Sequence, residues 1–500
     1  MKNIIKTFLC GVMATMGALT LMACGSPTTQ KPSDNNPIVI EQPSNPSTTV
    51  PSNIPTAPQG NAVVGTYTQS VTSTIDFDTL TANNATYGTV AEITANGTYL
   101  ITGTTAKGFV AITKKSLDVT LILNGASITS DNYASIVCLK KSNVNIILAN
   151  GSVNYLTSGT SFVQGFDSDE NANATLCIRQ SLTLAGSGAL YVNGAANNGI
   201  GSKGDLTISD GTYNILANNN AIKGNDSIEI SGGTFYIGSN EDGIKSEIDE
   251  TDASVGYINI TGGSFEIATN NDGIDAGTSL TISNATMKII TRGGYTTKIT
   301  DSTISAKGLK AETFITIDSG NFNINSQDDG VHSDGFITIN NGTFIIATAD
   351  DGFHAEQTLE ISNGTIKISN CYEGLEALNI NIKGGNITIS ATDDGVNISN
   401  GSDNSATQNS TGRGGMGGKG GNQGGGETVI NGLLNITGGT LTVTAKGDGL
   451  DSNGNITMSG GTVIVKGNEN VDFNGTFTKT GGTMTAGNKT IANGVYKNNL

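Results

Sequence analysis

The 500-residue chain carries 26 Lys and Arg against 43 Asp and Glu, for a formal net charge of −17, and it has no Trp. An acidic surface of this kind disfavours nucleic acid and anionic membranes, and it repels an anionic polysaccharide unless cations intervene. Cys138, Cys177 and Cys371 lie far apart in the body of the chain, so they form neither a disulfide framework nor a metal-ligand spacing.

Residues 1–23 read as a lipoprotein signal peptide, with two lysines, an apolar core and then Leu21, Met22 and Ala23 before Cys24. Processing would leave Cys24 as a lipid-carrying N-terminus. The expectation is an extracytoplasmic protein, tethered to the cell membrane by that lipid alone and displayed at the cell surface. Residues 24–61 are rich in Pro, Ser and Thr and hold all eight prolines of the chain, which describes a disordered tether. From residue 59 to 500 there is no proline, because a stacked strand ladder needs nearly every backbone N–H for the next coil.

Residues 62–190 are β-rich but irregular, with stretches such as TYLITG, VTLILNG and NVNIILANG. They read as the first coils and cap of a solenoid, although a separate small β domain would carry the same strands. Residues 190–500 are regular: an acidic residue, Gly and an aliphatic residue recur at an interval of 22, as at Gly330, Gly352 and Gly374. Within one period SIEIS, TFYIGS and GIKSE each alternate apolar and polar positions. The fold class is therefore all-β, a parallel β-helix with three short strands per coil and about 17 or 18 coils. A glycine-rich flexible insertion occupies 401–427. Two shorter insertions, at EIDETDASVG and TRGGYTTKITDST, should rise on opposite edges of one sheet, where insertions tend to mark a binding face.

Position in the period becomes position in a column. The residue after the Gly (Ile244, Ile274, Leu309, Val331, Phe353, Leu375) points inward and builds the core. The next residue faces outward, and this column runs Lys245, Asp275, Lys310, His332, His354, Glu376, Asn397, Asp451 and Asp472. In the turn before the Gly stand Asp242, Asp272, Lys307, Asp329, Asp351, Glu373, Asp394 and Asp448, and Asp328, Asp350 and Asp393 come one position earlier. One edge is thus an acidic rail.

Carboxylates stacked at coil spacing repel by roughly 3.5 kcal/mol per adjacent pair at an effective dielectric near 20. Ca2+, which takes six to eight oxygens with tolerant geometry, reverses that cost. Ca2+ is the expected cofactor, with Asp242, Asp272, Asp275, Asp328, Asp329, Asp350, Asp351, Glu373, Glu376, Asp393, Asp394, Asp448 and Asp451 as candidate ligands. A solvated acidic turn is the alternative, since Asp-Gly is a common turn pair. His332 and His354 stand 22 residues apart, so they should lie side by side and face outward. They form either a metal pair or a stacked polar surface.

The coils NEDGIKSE, NNDGIDAG, KGLKAE, QDDGVHSDG, ADDGFHAE and TDDGVNIS, the SGGTF and TGGTL turns, the GGMGGKGG loop and GDGLDSNG resemble a clostridial family of secreted carbohydrate-binding lipoproteins. The resemblance implies a right-handed parallel β-helix similar to pectate lyases. It also implies Ca2+ on the Asp-Gly turns and binding of plant cell-wall polysaccharide, either cellulose or an acidic pectin-type chain.

In β-helical pectate lyases an Asp cluster holds Ca2+ against a uronate and a nearby Lys or Arg removes the proton. Asp272, Asp275 and Lys310 match part of that pattern, with Lys310 as the candidate base, but Asn271 stands where a second Asp would be expected. Lys245, Lys310, His332 and His354 are the candidates for contact with the glycan. A monomeric binder is the leading reading, with a Ca2+-dependent polysaccharide lyase and a structural adhesin or spacer as alternatives.

Overall fold

The computed structural model describes residues 60–166, 171–249, 251–297, 303–400 and 429–500. Cys24, the tether up to residue 59 and the whole 401–427 insertion lie outside the described residues. The described chain is all strand and turn, without a helix, and it winds as a β-solenoid of about 17 turns whose strands pair in parallel about 22 residues apart.

One coil shows why these residues take this form. Thr234–Ser239 alternates outward Thr and Tyr with inward Phe235 and Ile237, so every second side chain enters the core. The same face repeats in each coil, which stacks like upon like. Tyr213, Phe235 and Phe265 align in register, their rings parallel within 13° and their centroids 5.1 and 4.6 Å apart. Met287 follows in the same column, and Phe322 and Phe344 beyond it stack at 4.7 Å. The column after the Asp-Gly turn is fully buried from Ile200 to Val471.

Two glycine columns make the turns possible for different reasons. Gly233 and Gly263, with φ of 108° and 106°, sit in the left-handed region that L side chains avoid. The Gly of the Asp-Gly turn has no such φ. A Cβ at Gly330 would instead lie 2.6 Å from the Gly352 carbonyl oxygen of the next coil. Close backbone approach, rather than turn conformation, holds glycine there.

The ladder is continuous from the irregular region into the regular one: Val153–Thr157 pairs with Ala189–Gly194, which pairs with Thr212–Ala217. At the other end Gly494–Tyr496 folds back antiparallel on Phe477–Lys479, so the last edge is paired. The two short insertions lie after Ile244–Ser246 and after Ala285–Thr291.

A buried ring between two stacked rings cannot be removed without leaving a cavity. Phe235→Ala is expected to cost about 3–5 kcal/mol in denaturant unfolding. Phe336→Ala, at a position 53% exposed, is expected to change stability by less than about 1 kcal/mol.

Candidate functional site

The turn before the glycine is built by a repeated side-chain-to-backbone bond. In four coils the backbone N–H of the turn residue donates to the side-chain oxygen of its counterpart one coil earlier: Asp272 to Asp242 (3.0 Å), Lys307 to Asp272 (2.7 Å), Asp351 to Asp329 (3.0 Å) and Glu373 to Asp351 (3.1 Å). Asp448 and Glu469 do the same to Asp394 and Asp448. The next coil then lies over each carboxylate. The expected exposed rail is therefore covered, and Asp242, Asp272, Asp329, Asp350, Asp351 and Glu373 are buried while Asp328, Asp393, Asp394 and Asp448 are half-buried.

The bond itself does not call for charge. Asn198 and Asn220 accept the N–H of Asn220 and Asp242 at 3.1 Å in the same column. Negative charge from Asp242 onward needs another reason.

Part of that reason is internal pairing. Lys245 Nζ bridges Asp242 (2.8 Å) and Asp275 (2.5 Å), and Lys307 Nζ bridges Asp328 (2.8 Å) and Asp329 (3.2 Å). Burial opposes the charge on both lysines, but their carboxylate partners outweigh it and hold each pKa above the ordinary value. Burial, followed by Asp275 and Asp242, pushes the Asp272 carboxyl up to about 7. Burial also acts against ionised Asp329, yet Lys307 and His332 win and keep it well below the usual carboxylate range.

His332 and His354 occupy adjacent coils as expected, with ring centroids 4.9 Å apart, but they do not face solvent. They are 6% and 0% exposed, because the turn carboxylates and the neighbouring coils close over the column. His332 is clamped between Asp329 (2.8 Å) and Asp334 (2.9 Å). Burial disfavours its charge, but these two bonds raise its pKa to about 9. His354 lies 3.3 Å from Asp351 and 3.5 Å from Glu376.

Beyond this point the carboxylates crowd without lysine bridges. Burial and neighbouring acids raise Asp351 and Glu373 well above the ordinary carboxylate range, and Asp394 rises to about 7. Asp451 is half-buried, in register with Asn397 and Asp472. The structure thus splits the expected calcium ligands in two. From Asp242 to Asp329 a lysine already stands between them, whereas from Asp351 to Asp448 none does among the ion pairs of the described residues.

Lys310 Nζ lies 3.7 Å from Asp275 and 3.5 Å from Glu312. Burial lowers its pKa, but Asp275, Asp272 and Glu312 more than reverse this and keep the amine protonated. A protonated amine has no electron pair to offer as a general base.

Two surface features were missed in the columns chosen from sequence. The turn between the first two strands of the coil forms an open groove of about 650 Å³ across five coils, lined by Asn284, Ser319, Asn341, Asn363 and Asn386 with glycines and threonines and, among the described residues, no charged side chain. At about 4.8 Å per coil it runs roughly 19 Å. Its signal was available, since 319, 341 and 363 are again 22 apart. In the early coils Lys115, Lys140, Lys141, Arg179 and Lys203 gather around a second concavity of about 690 Å³, with Asp226 as the acid among its described lining residues. Irregular intervals there hid the basic cluster from alignment.

Among known proteins, the family model described as "Carbohydrate-binding domain-containing protein" matches residues 87–352 and 351–497. A carbohydrate-binding domain-containing protein of Acetivibrio thermocellus is 37% identical over 147 residues, covering 28% of this chain and 51% of the relative. The match thus spans about half the length of that curated relative. A solved structure, the polysaccharide lyase-like protein from C. thermocellum as a gadolinium derivative, is 31% identical with a TM-score of 0.39, covering 47% of this chain and 92% of that one.

Proposed function

The chain belongs to the family of carbohydrate-binding domain-containing proteins, and from that premise we propose that it is a surface-anchored, calcium-dependent binder of plant cell-wall polysaccharide. The observation that carries the reading is the neutral Asn, Ser and Thr groove repeated over five coils. Exposed amides and hydroxyls both donate and accept, which suits the hydroxyls of a polysaccharide laid along the solenoid axis. Because no cationic side chain of the described residues lines the groove, a neutral chain of the cellulose type fits it better than a uronate chain.

A second reading, an acidic pectin-type ligand, draws on the basic cluster of Lys115, Lys140, Lys141, Arg179 and Lys203. That cluster offers an anionic sugar a place to dock on an otherwise acidic protein without a bridging cation. Ca2+ belongs on the carboxylates that no lysine bridges, foremost Asp393, Asp394 and Asp448, where it would join neighbouring coils and stiffen the groove. Cys24 supplies the membrane anchor, and the protein acts as a monomer. The protonated state of Lys310 speaks against β-elimination.

Pull-down on insoluble cellulose and on polygalacturonate gel, with Ca2+ or with chelator, tests the proposal. Retention in Ca2+ that falls in chelator is expected, and retention on neither matrix would overturn it. Incubation with polygalacturonate and Ca2+ should yield no ultraviolet-absorbing unsaturated product. Product that is lost in Lys310→Ala would establish the lyase instead.

A further inference from the structure

His354 is fully buried, and neither of its ring nitrogens makes a hydrogen bond. Buried polar atoms are rarely left unmet, so each such atom points to a missing partner. Its neighbour His332, one coil earlier in the same column, has both nitrogens bonded to carboxylates. The two histidines share a column and differ in what meets them.

The groups around His354 are arranged as ligands. Its Nδ1 lies 3.3 Å from Asp351 Oδ2 and 3.5 Å from Glu376 Oε2. Neither contact has hydrogen-bond alignment, and Asp351 Oδ2 is itself buried and unmet. Ligand atoms about 2.0–2.1 Å from a tetrahedral zinc ion stand about 3.3–3.4 Å from one another. The observed separations match the edges of such a tetrahedron.

The remaining atoms support the same assignment. The second oxygen of Asp351 is fixed by the Glu373 N–H and that of Glu376 by the Ser399 hydroxyl, so the free oxygens of both are aimed. Asn397 follows Glu376 in the register, and its Oδ1 is buried and unmet as well. A divalent ion would also neutralise two carboxylates that no lysine bridges.

We propose that Asp351, His354 and Glu376 bind one transition-metal ion of the zinc class, with Asn397 or water in the fourth position. Ca2+ is excluded as the natural occupant by the imidazole, since hard cations take oxygen ligands and imidazole suits zinc, copper, iron and nickel. Asp351 and Glu376 thereby leave the calcium set. The site stands independently of the glycan reading, because it faces the interior of a column rather than the groove.

Metal-stripped protein titrated with Zn2+ by calorimetry, and with Co2+ by visible absorption, tests the proposal. One ion per chain is expected, with the intense d–d bands of four-coordinate cobalt and no displacement by a thousandfold excess of Ca2+. His354→Gln and Glu376→Gln should each weaken Zn2+ binding at least 100-fold, whereas His332→Gln should leave it in place. Glu376→Gln keeps the side-chain shape and gives the answer should His354→Gln fail to fold, with circular dichroism reporting the fold of each variant. Absence of stoichiometric binding, equal affinity in the folded variants, loss of binding in His332→Gln alone, or displacement by Ca2+ would each overturn the proposal.

Discussion

Asp351→Asn is expected to make the metal-free protein more stable, and the gain should grow with pH. Asp351 is wholly buried beside Asp350, Glu373, Asp329 and Glu376, and burial together with these acids lifts its pKa well above the ordinary value. Folding at neutral pH therefore requires the group either to take up a proton or to keep a charge among charges. The cost is about 1.4 kcal/mol for each pH unit above the unfolded pKa near 4, up to the folded value. Asn avoids it. It can still accept the Glu373 N–H, as Asn198 and Asn220 accept theirs in the same column.

Thermal unfolding in chelator should thus show little difference between variant and wild type at pH 4 and an advantage for the variant that grows by about 1.4 kcal/mol per pH unit above that, up to the folded pKa of Asp351. The same substitution removes a proposed zinc ligand, so the rise in melting temperature that Zn2+ gives the wild type should shrink in the variant. A variant less stable than wild type at pH 8 would show that Asp351 is held as a favourable anion by something other than a bound cation.

The second large effect is the pH profile of the wild type itself. Asp272 and Asp394 titrate near 7 in the folded state, and burial among other acids raises Asp351 and Glu373 well above the ordinary carboxylate range. These groups bind more protons folded than unfolded between about pH 4 and 7, so in chelator stability should fall as pH rises through that window. For Asp272 alone the change is on the order of 4 kcal/mol. His332, raised to about 9, acts in the same direction: its contribution is complete below its unfolded pKa and is lost as pH rises through 9.

Asp334, lowered to about 2 mainly by its bond to His332, works the other way, with stability present above about pH 4 and lost as pH falls through 2. Melting temperature in chelator should therefore peak near pH 4. Saturating Ca2+ and Zn2+ should flatten the neutral side of the curve, because a bound cation removes the advantage of protonation. A chelated protein most stable at pH 8 would contradict the assignment of these carboxyls as uncompensated.

Much of this molecule was legible in one dimension, because in a solenoid each coil repeats the constraints of the last. The 22-residue interval was enough to place Ile244, Leu309 and Phe353 in one core column and His332 beside His354. Depth was not legible. A side chain that points away from the core is exposed only if the next coil leaves it so, and in this column the turn carboxylates and neighbouring side chains close over it.

The choice of columns also limited what could be read. Aligning on acidic residues passed over Asn198 and Asn220, which lie 44 and 22 residues before Asp242 and reveal that the turn needs an acceptor rather than a charge. Lys307 looked like an interruption of the rail. In the structure it is the cation for Asp328 and Asp329. The groove escaped notice because asparagine and glycine in a turn are expected for conformational reasons alone.

The claim on which the account turns is that polysaccharide lies along the asparagine groove. The direct test is the dissociation constant for a soluble oligosaccharide of the retained polysaccharide, measured by calorimetry in Ca2+ for wild type and for the Asn341→Ala, Asn363→Ala double variant. Loss of two or more hydrogen bonds at about 1 kcal/mol each predicts a 10- to 100-fold weakening, with an unchanged melting temperature because both side chains are exposed. Undiminished affinity in a folded double variant would contradict the account and move the glycan to another face of the solenoid.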